Sequence, residues 1–340
     1  MRDVRFITCA PSDTYYTWQV HLWLESLRDI GKSDKATVLI YLPKARPHNK
    51  KWDQIIALYP EAKFIFYREK PEEDINYLIS LYIPIIREYL MWTYLKDHPE
   101  AEKEAIFFCD SDILFKDNFD IEHLLDDDVN YISDAISYMG IVYLDNKISE
   151  VSPDKKEAFL SEDRAQEILN CAGVTRATAE ANQAHSGGVQ YLLKNTSVEF
   201  WAKVLNDSIS IVLKMQELNT KFFPSQQLGY QSWCADMWGI LWNMWYFKKE
   251  VQVVPELAFS WASCSIDRVN TLPIFHNAGI IGEIMGDHKC FYKGKYHLGS
   301  DPTADPALDE VINSFTSQKY GTWYYAKKLK ELKEKYNLNY

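Results

Sequence analysis

Strand-length apolar runs recur at helix-length intervals along the first third of this chain, and that spacing limits the folds open to it. "VRFITCA" (4–10), "ATVLIYL" (36–42) and "KFIFYR" (63–68) read as strands. Between them lie an aromatic-rich helix from about Tyr15 to Ile30 and a helix over "KKWDQIIALY" (50–59). A long helix ending near His98 follows, and then a fourth apolar run, "AIFFCDSDILF" (105–115). Short apolar strands alternating with helices predict an α/β fold, a Rossmann-like, mainly parallel sheet with helices on both faces. The most apolar segment, "INYLISLYIPIIREYLMWTYL" (75–95), is interrupted by Pro84, Arg87 and Glu88. Charges at that depth are expensive in lipid, so a buried helix is expected and no transmembrane segment.

The fourth run sets a problem. Its apolar flanks head for a dry core, yet Asp110 and Asp112 sit between them. An unpaired buried carboxylate costs several kcal/mol, comparable to the stability margin of a domain. Ligands of parallel sheets bind at the carboxyl ends of strands, and two acids at i and i+2 there can aim at one point beyond the sheet edge. A divalent cation resolves two such charges. Oxygen ligation with open positions suits Mg²⁺ or Mn²⁺, which keep waters and take up substrate phosphates. Such an ion can neutralise a departing diphosphate. The letters D-x-D also arise by chance in an acidic chain, as "DDD" at 126–128 shows; the apolar flanks and three preceding β/α units single this copy out.

Here "IFFCDSDILF" resembles the DxD signature of GT-A-fold glycosyltransferases, which bind a nucleotide sugar through a divalent metal. Three further landmarks follow in order. "HSGGVQYLLKN" (185–195) is similar to the stretch lining the sugar pocket in glycogenin-like and galactosyltransferase-like families. "ADMWGILW" (235–242) is similar to a helix start that offers an acid toward donor sugar or acceptor, and "HNAG" (276–279) matches the H-x-x-G whose His completes the metal site. The resemblance spans Val4 to about Lys295 and is dense only at those four places. It implies Asp110, Asp112 and His276 as metal ligands, with Asp110 and Ser111 also beside the ribose. Cys9 and Ala10 would meet the base through their backbone, and Arg87 the donor or its diphosphate. Gly187 and Gly188 would let backbone approach the sugar. Asp236 would touch the sugar or act as base, with His185 as a second catalytic candidate.

The pattern departs from its relatives in places. A Lys usually follows H-x-x-G by three residues to hold the diphosphate; Gly282 stands there, leaving Lys289, Lys293 or Lys295 to substitute, with Lys293 carried in the candidate set. His185 replaces a common Asn, and the common D-Q-D near Asp236 is "ADM". Plainer roles compete with each assignment. His276 can be a satisfied structural residue, Asp236 a helix N-cap, and the glycine pair a bulge between strands. Arg87 can pair with Glu88 or another acid. Trp18, Trp23, Trp238, Trp242 and Trp245 fit core or groove wall, and Lys327 to Lys335 a solvated helix face.

Beyond these landmarks, residues 145–182 read as a helical insertion, and a structured block runs from His185 to about Val254. After Pro255 the chain is loop-rich, with a final helical pair at about 307–316 and 322–335. One GT-A domain over 1–300 with a helical extension over 301–340 is the expected organisation. The net charge of −11 argues against a general polyanion binder. Six scattered Cys contain no CxxC pair, and the N-terminus enters a strand directly, so a reduced, cytoplasmic protein of a bacterium or a virus-infected cell is expected.

The expectation is therefore a metal-dependent glycosyltransferase that moves a sugar from a nucleotide diphosphate, with UDP favoured, onto a hydroxyl. Its acceptor is a saccharide, protein, lipid or hydroxymethylated DNA base. The nearest patterns are retaining families, which favours retention. Two rivals stand beside it. A sugar-phosphate nucleotidyltransferase would carry a Gly- and Arg/Lys-rich loop after the first strand, which "CAPSDTYYTW" lacks. A non-catalytic sugar- or nucleotide-binding protein would use its acids to hold a structural ion.

Overall fold

The computed structural model describes residues 2–43, 47–68 and 83–337. In chain order the strands are β1 (Val4–Pro11), β2 (Ala36–Leu42), β3 (Lys63–Arg68), β4 (Ala105–Cys109), β5 (Ile113–Phe115), β6 (Asn130–Asp134), β7 (Gly187–Lys194), β8 (Val251–Val253), β9 (Phe259–Trp261) and β10 (Ile274–His276), followed by a small hairpin. Counting helices of eight residues or more, α1 is Thr14–Asp29, α2 Lys51–Leu58, α3 Ile83–Asp97, α4 Val198–Phe222, α5 Ala235–Tyr246, α6 Pro306–Asn313 and α7 Gly321–Tyr336. The chain divides into two compact units, one of Arg5–Arg68, Cys109–His123 and Glu256–Tyr340, the other of Met1–Val4, Glu69–Phe108 and Leu124–Pro255.

In the first unit, β1, β2 and β3 pair in parallel in the order β3-β2-β1, with Phe6 opposite Ala36 and Thr37 opposite Lys63. All seven residues of β2 are buried, as a strand covered on both faces must be. A second, three-stranded sheet runs β5-β10-β9. Trp18 and Leu22 of α1, Leu114 of β5, Phe275 of β10, and Tyr325 and Leu329 of α7 share one apolar core. Helix α6 starts as its sequence dictates: Asp305 caps the Ala307 amide at 2.8 Å and Pro306 opens the first turn, where no amide proton is needed.

In the second unit the order is β4-β7-β6-β8, with β7 antiparallel to both neighbours and β6 parallel to β8. Helices α3, α4 and α5 pack on one another. Ser197 caps α4 by accepting from the Phe200 amide at 3.2 Å. Residues 141–181 contain a series of short helices.

The α/β, mostly parallel architecture matches the sequence reading, and β2 and β3 have the predicted bounds. Three details differ. β1 runs on to Pro11. The run 105–115 is two strands in two different sheets, with Asp110 to Asp112 in the turn between them. The described part of the long helix is Ile83–Asp97; its expected start, from Ile75 to Tyr82, lies outside the described residues. Among the described residues, no helix is long and apolar enough to cross a membrane. The five Trp named above are all buried, so they serve as core.

Candidate metal centre

The acid turn is set by the strands on either side of it. The Thr8 hydroxyl of β1 donates to the Cys109 carbonyl at 3.1 Å, pinning the end of β4. β5 then enters the second sheet antiparallel to β10, with His276 directly opposite Ile113. The Asn277 amide donates to the Asp112 carbonyl at 3.0 Å and extends that ladder by one step. This register brings an imidazole from late in the chain beside the acids. His276 Nε2 lies 3.2 Å from Asp112 Oδ1 and 3.4 Å from Asp110 Oδ2.

β9 fixes the imidazole from its other side. Trp261 pairs with His276, and their rings lie 5.1 Å apart at 30°. Nδ1 of His276 is buried with no hydrogen-bond partner among the described residues, so ring packing orients it in place of the usual outer-shell hydrogen bond. Asp112 and His276 are buried, while Asp110 keeps 29% of its side chain exposed. The cluster is closed behind and open at one acid.

Asp110, Asp112 and His276 each offer one donor atom, all within 4.8 Å of one another. Neighbouring ligands of an octahedral ion with bonds of about 2.1 Å stand roughly 3.0 Å apart. The two acid–histidine separations come within a few tenths of that. Two carboxylates and one imidazole could hold a divalent cation and leave its remaining positions for water and other oxygen ligands.

The charges are balanced by a neighbour. The Lys293 ammonium donates to Asp112 Oδ2. Burial pushes the Asp112 carboxyl upward, but Lys293 and then His276 outweigh it and hold the group below the ordinary carboxylate range. Burial likewise works against the Lys293 charge, and Asp112 more than restores it. Both groups are therefore ionised. Lys289 pairs instead with Glu310, and Lys295 with Asp305 at 2.8 Å. Gly279 adopts φ +73°, so its backbone favours glycine, and the Lys293 side chain passes beside it. Cys9 and Ala10 are buried in β1, and Ser111 is buried in the turn.

The remaining candidates lie in the second unit. Arg87 on α3 pairs not with Glu88 but with Asp236 in the first turn of α5, at 2.6 Å, and both are buried. The guanidinium also sits 4.7 Å from the Phe108 ring centre. Asp236 Oδ1 is 2.8 Å from the Met237 amide. Glu88 is fully buried, accepts from the Ser208 hydroxyl at 2.6 Å, and is pushed well above the ordinary carboxyl range, first by burial and then by Asp236.

Gly187 and Gly188 open β7 where its pairing with β6 shifts register between Ile132 and Asp134. A Cβ on Gly187 would meet the Ser133 carbonyl at 2.1 Å, and one on Gly188 the Tyr191 hydroxyl at 2.6 Å. The next residue, Val189, has φ 75°, an uncommon and strained state for a β-branched side chain. The register shift places an irregularity of the β6–β7 pairing at the glycine pair. His185 ends a short turn just before it, half-buried.

The structure thus groups Asp110, Asp112, His276 and Lys293 in one unit and Arg87 with Asp236 in the other. Sequence reasoning missed Trp261, Thr8 and Asn277, whose roles come from strand pairing and carry no local spacing signal.

No family model matches the chain, and no curated protein matches it in sequence. Solved structures similar to it include mouse xyloside xylosyltransferase 1 in its apo form, at 13% identity over 81% of this chain and 98% of that one, with a TM-score of 0.38. An active-site mutant of LgtC is similar at 12% identity over 98% of this chain and 95% of that one, with a TM-score of 0.45. Core-mannan synthase A from Aspergillus fumigatus, in a Mn/GDP form, is similar at 10% identity over 74% and 73%, with a TM-score of 0.32.

Proposed function

We propose that this chain is a metal-dependent GT-A glycosyltransferase that moves a sugar from a nucleotide diphosphate, UDP in the favoured case, to a hydroxyl acceptor with retention at the anomeric carbon. One observation carries the reading: two carboxylates on a strand-end turn share an imidazole at 3.2 and 3.4 Å, in the spacing an octahedral dication requires.

In this reading Asp110, Asp112 and His276 hold Mn²⁺ or Mg²⁺, which when bound supplies Lewis-acid stabilisation of the leaving diphosphate. Lys293 is the basic group for that diphosphate, because it is the Lys of the three that reaches the acids. Asp110 is the exposed ligand and Ser111 its neighbour on the ribose side. The backbone of Cys9 and Ala10 faces the base. Gly187 and Gly188 make room for the sugar, and Arg87 answers the donor. Asp236 and His185 are the candidates for sugar contact and proton transfer. The six free thiols support a reducing compartment.

The test is a panel of nucleotide sugars screened with Mn²⁺ by thermal shift and by hydrolysis without acceptor. The expected outcome is a stabilised protein and hydrolysis of one UDP-sugar, both abolished by EDTA. Hydrolysis that survives complete metal removal would contradict the assignment. The anomeric configuration of the product, read by proton NMR, tests retention.

A further inference from the structure

The Lys293 ammonium and the metal centre draw on the same carboxylate. Lys293 donates to Asp112 Oδ2, while Asp112 Oδ1 faces His276 Nε2 at 3.2 Å. Both oxygens of the deepest acid in the cluster are therefore addressed before any ligand arrives. Burial works against the Lys293 charge, and Asp112, Tyr15 and Asp110 together more than restore it. The side chain keeps 16% of its surface exposed, so an anion can still reach it. Lys289 and Lys295 are committed elsewhere, to Glu310 and Asp305.

A charge count shows what this contact does. Asp110 and Asp112 carry one negative charge each, and an imidazole that ligates a metal is neutral. The two acids alone would balance a dication. Lys293 cancels one of their charges, so a dication added to the cluster leaves one positive charge in excess. Like charges that share one carboxylate repel each other. For a dication and an ammonium about 5 Å apart, even the dielectric constant of water leaves a factor of about ten in affinity. A diphosphate reverses the balance. Its oxygens can take the ammonium from Asp112, which leaves that carboxylate to the ion.

We propose that Lys293 is an electrostatic gate on the metal centre, disfavouring a divalent cation bound alone and coupling cation binding to that of a nucleoside diphosphate. The inference rests on the metal-centre reading of Asp110, Asp112 and His276, and adds how that centre fills. Because coupling is reciprocal, the cation strengthens diphosphate binding by the same factor.

The test is titration of the full chain with Mn²⁺, the free ion being counted by its EPR signal, without nucleotide and with saturating UDP. The wild-type chain is expected to bind Mn²⁺ about tenfold or more tighter with UDP than without. Lys293→Met is expected to bind Mn²⁺ alone about tenfold tighter than the wild type, and to gain less from UDP. Lys293→Arg, which keeps the charge, and Lys289→Met, which removes a charge paired with Glu310, leave the affinity for Mn²⁺ alone unchanged. A lysine that only holds the fold, or only binds the diphosphate, predicts otherwise: its loss leaves Mn²⁺ binding as it was or weakens it. That result overturns the inference, as does equal tightening by Lys293→Arg or a wild-type Mn²⁺ affinity indifferent to UDP. If Lys293→Met does not fold, Lys293→Gln, neutral yet able to donate to Asp112, is read in its place. The wild-type comparison stands without either. Absence of Mn²⁺ binding by all these proteins, with and without UDP, sinks the metal centre itself; Mn²⁺ bound no tighter by Lys293→Met sinks only the gate.

Discussion

Asp112→Asn separates a metal ligand from a merely structural acid, because this carboxylate has two jobs with different signatures. In the metal-free protein one oxygen faces Lys293 and the other lies 3.2 Å from His276. The amide keeps the shape and removes the charge, stranding a buried ammonium. Breaking one side of a buried pair costs about 3–5 kcal/mol. The loss has a ceiling, because Lys293 can give up its proton; from an ordinary Lys value to pH 7 that costs about 4–5 kcal/mol. Urea denaturation in EDTA should therefore show a loss of about 3–5 kcal/mol. Lys293→Met added to Asp112→Asn should restore most of it, since no ammonium is left unpaired. Mn²⁺ at one hundred times its dissociation constant should stabilise the native protein by about 2.7 kcal/mol and neither variant at all. An unchanged Mn²⁺ response in Asp112→Asn removes the assigned site. A double variant as unstable as the single one refutes the stranded-charge account and leaves the metal question standing.

Other expectations are checked more simply. Gly279→Ala forces an L-residue to φ +73° and crowds Lys293; a loss of about 1–2 kcal/mol by thermal melt and slower UDP-sugar hydrolysis are expected. Asp236→Asn removes the carboxylate that lies 2.6 Å from the buried Arg87 guanidinium and should lower stability in urea by about 1–3 kcal/mol, part of it recovered in the double variant with Arg87→Met. His21, fully buried against the rings of Tyr59 and Tyr336, is held down to about 3 by burial. Below its ordinary value of about 6.5 the unfolded chain takes up a proton that the folded chain refuses, so stability is full above that pH and falls as pH drops toward 3, by about 4–5 kcal/mol in all. Urea midpoints between pH 7 and 4 should show this slope, and His21→Phe should flatten it. Asp112 adds a loss at still lower pH: its carboxyl is depressed on folding, so its contribution is present above about pH 4 and disappears as pH falls through the folded value.

The α/β alternation was legible because β2 is apolar along its whole length, which only a strand covered on both faces explains. The acid pair was legible because two carboxylates stand between apolar runs that are themselves buried. The division of 105–115 into β4 and β5 was hidden, since Ile113 to Phe115 are as apolar as Ile106 to Phe108 and the switch between sheets depends on β10, far along the chain. The choice of Lys293 over Lys289 and Lys295 was equally hidden. All three lie within seven residues, and only the fold shows that Lys293 meets Asp112 while the other two meet Glu310 and Asp305. One answer could have been read earlier. Arg87 and Glu88 are adjacent on a helix and cannot face each other, so the partner of Arg87 had to come from elsewhere.

The second sheet explains why a histidine from late in the chain can serve acids from its first third. β10 has a single residue, His276, opposite Ile113, and side chains alternate faces along a strand. A slip of one residue would turn the imidazole to the other face and bring Phe275 to the acids. Two constraints oppose the slip. Phe275 is held in the apolar core with Tyr325 and Leu329, and Trp261 on β9 pairs with His276 from the opposite edge. The hydrophobic pattern of "PIFH" therefore does more than bury a strand. It fixes which face of β10 meets water-excluding rings and which meets Asp112, so the position of the imidazole is set by the same packing that holds the first unit together.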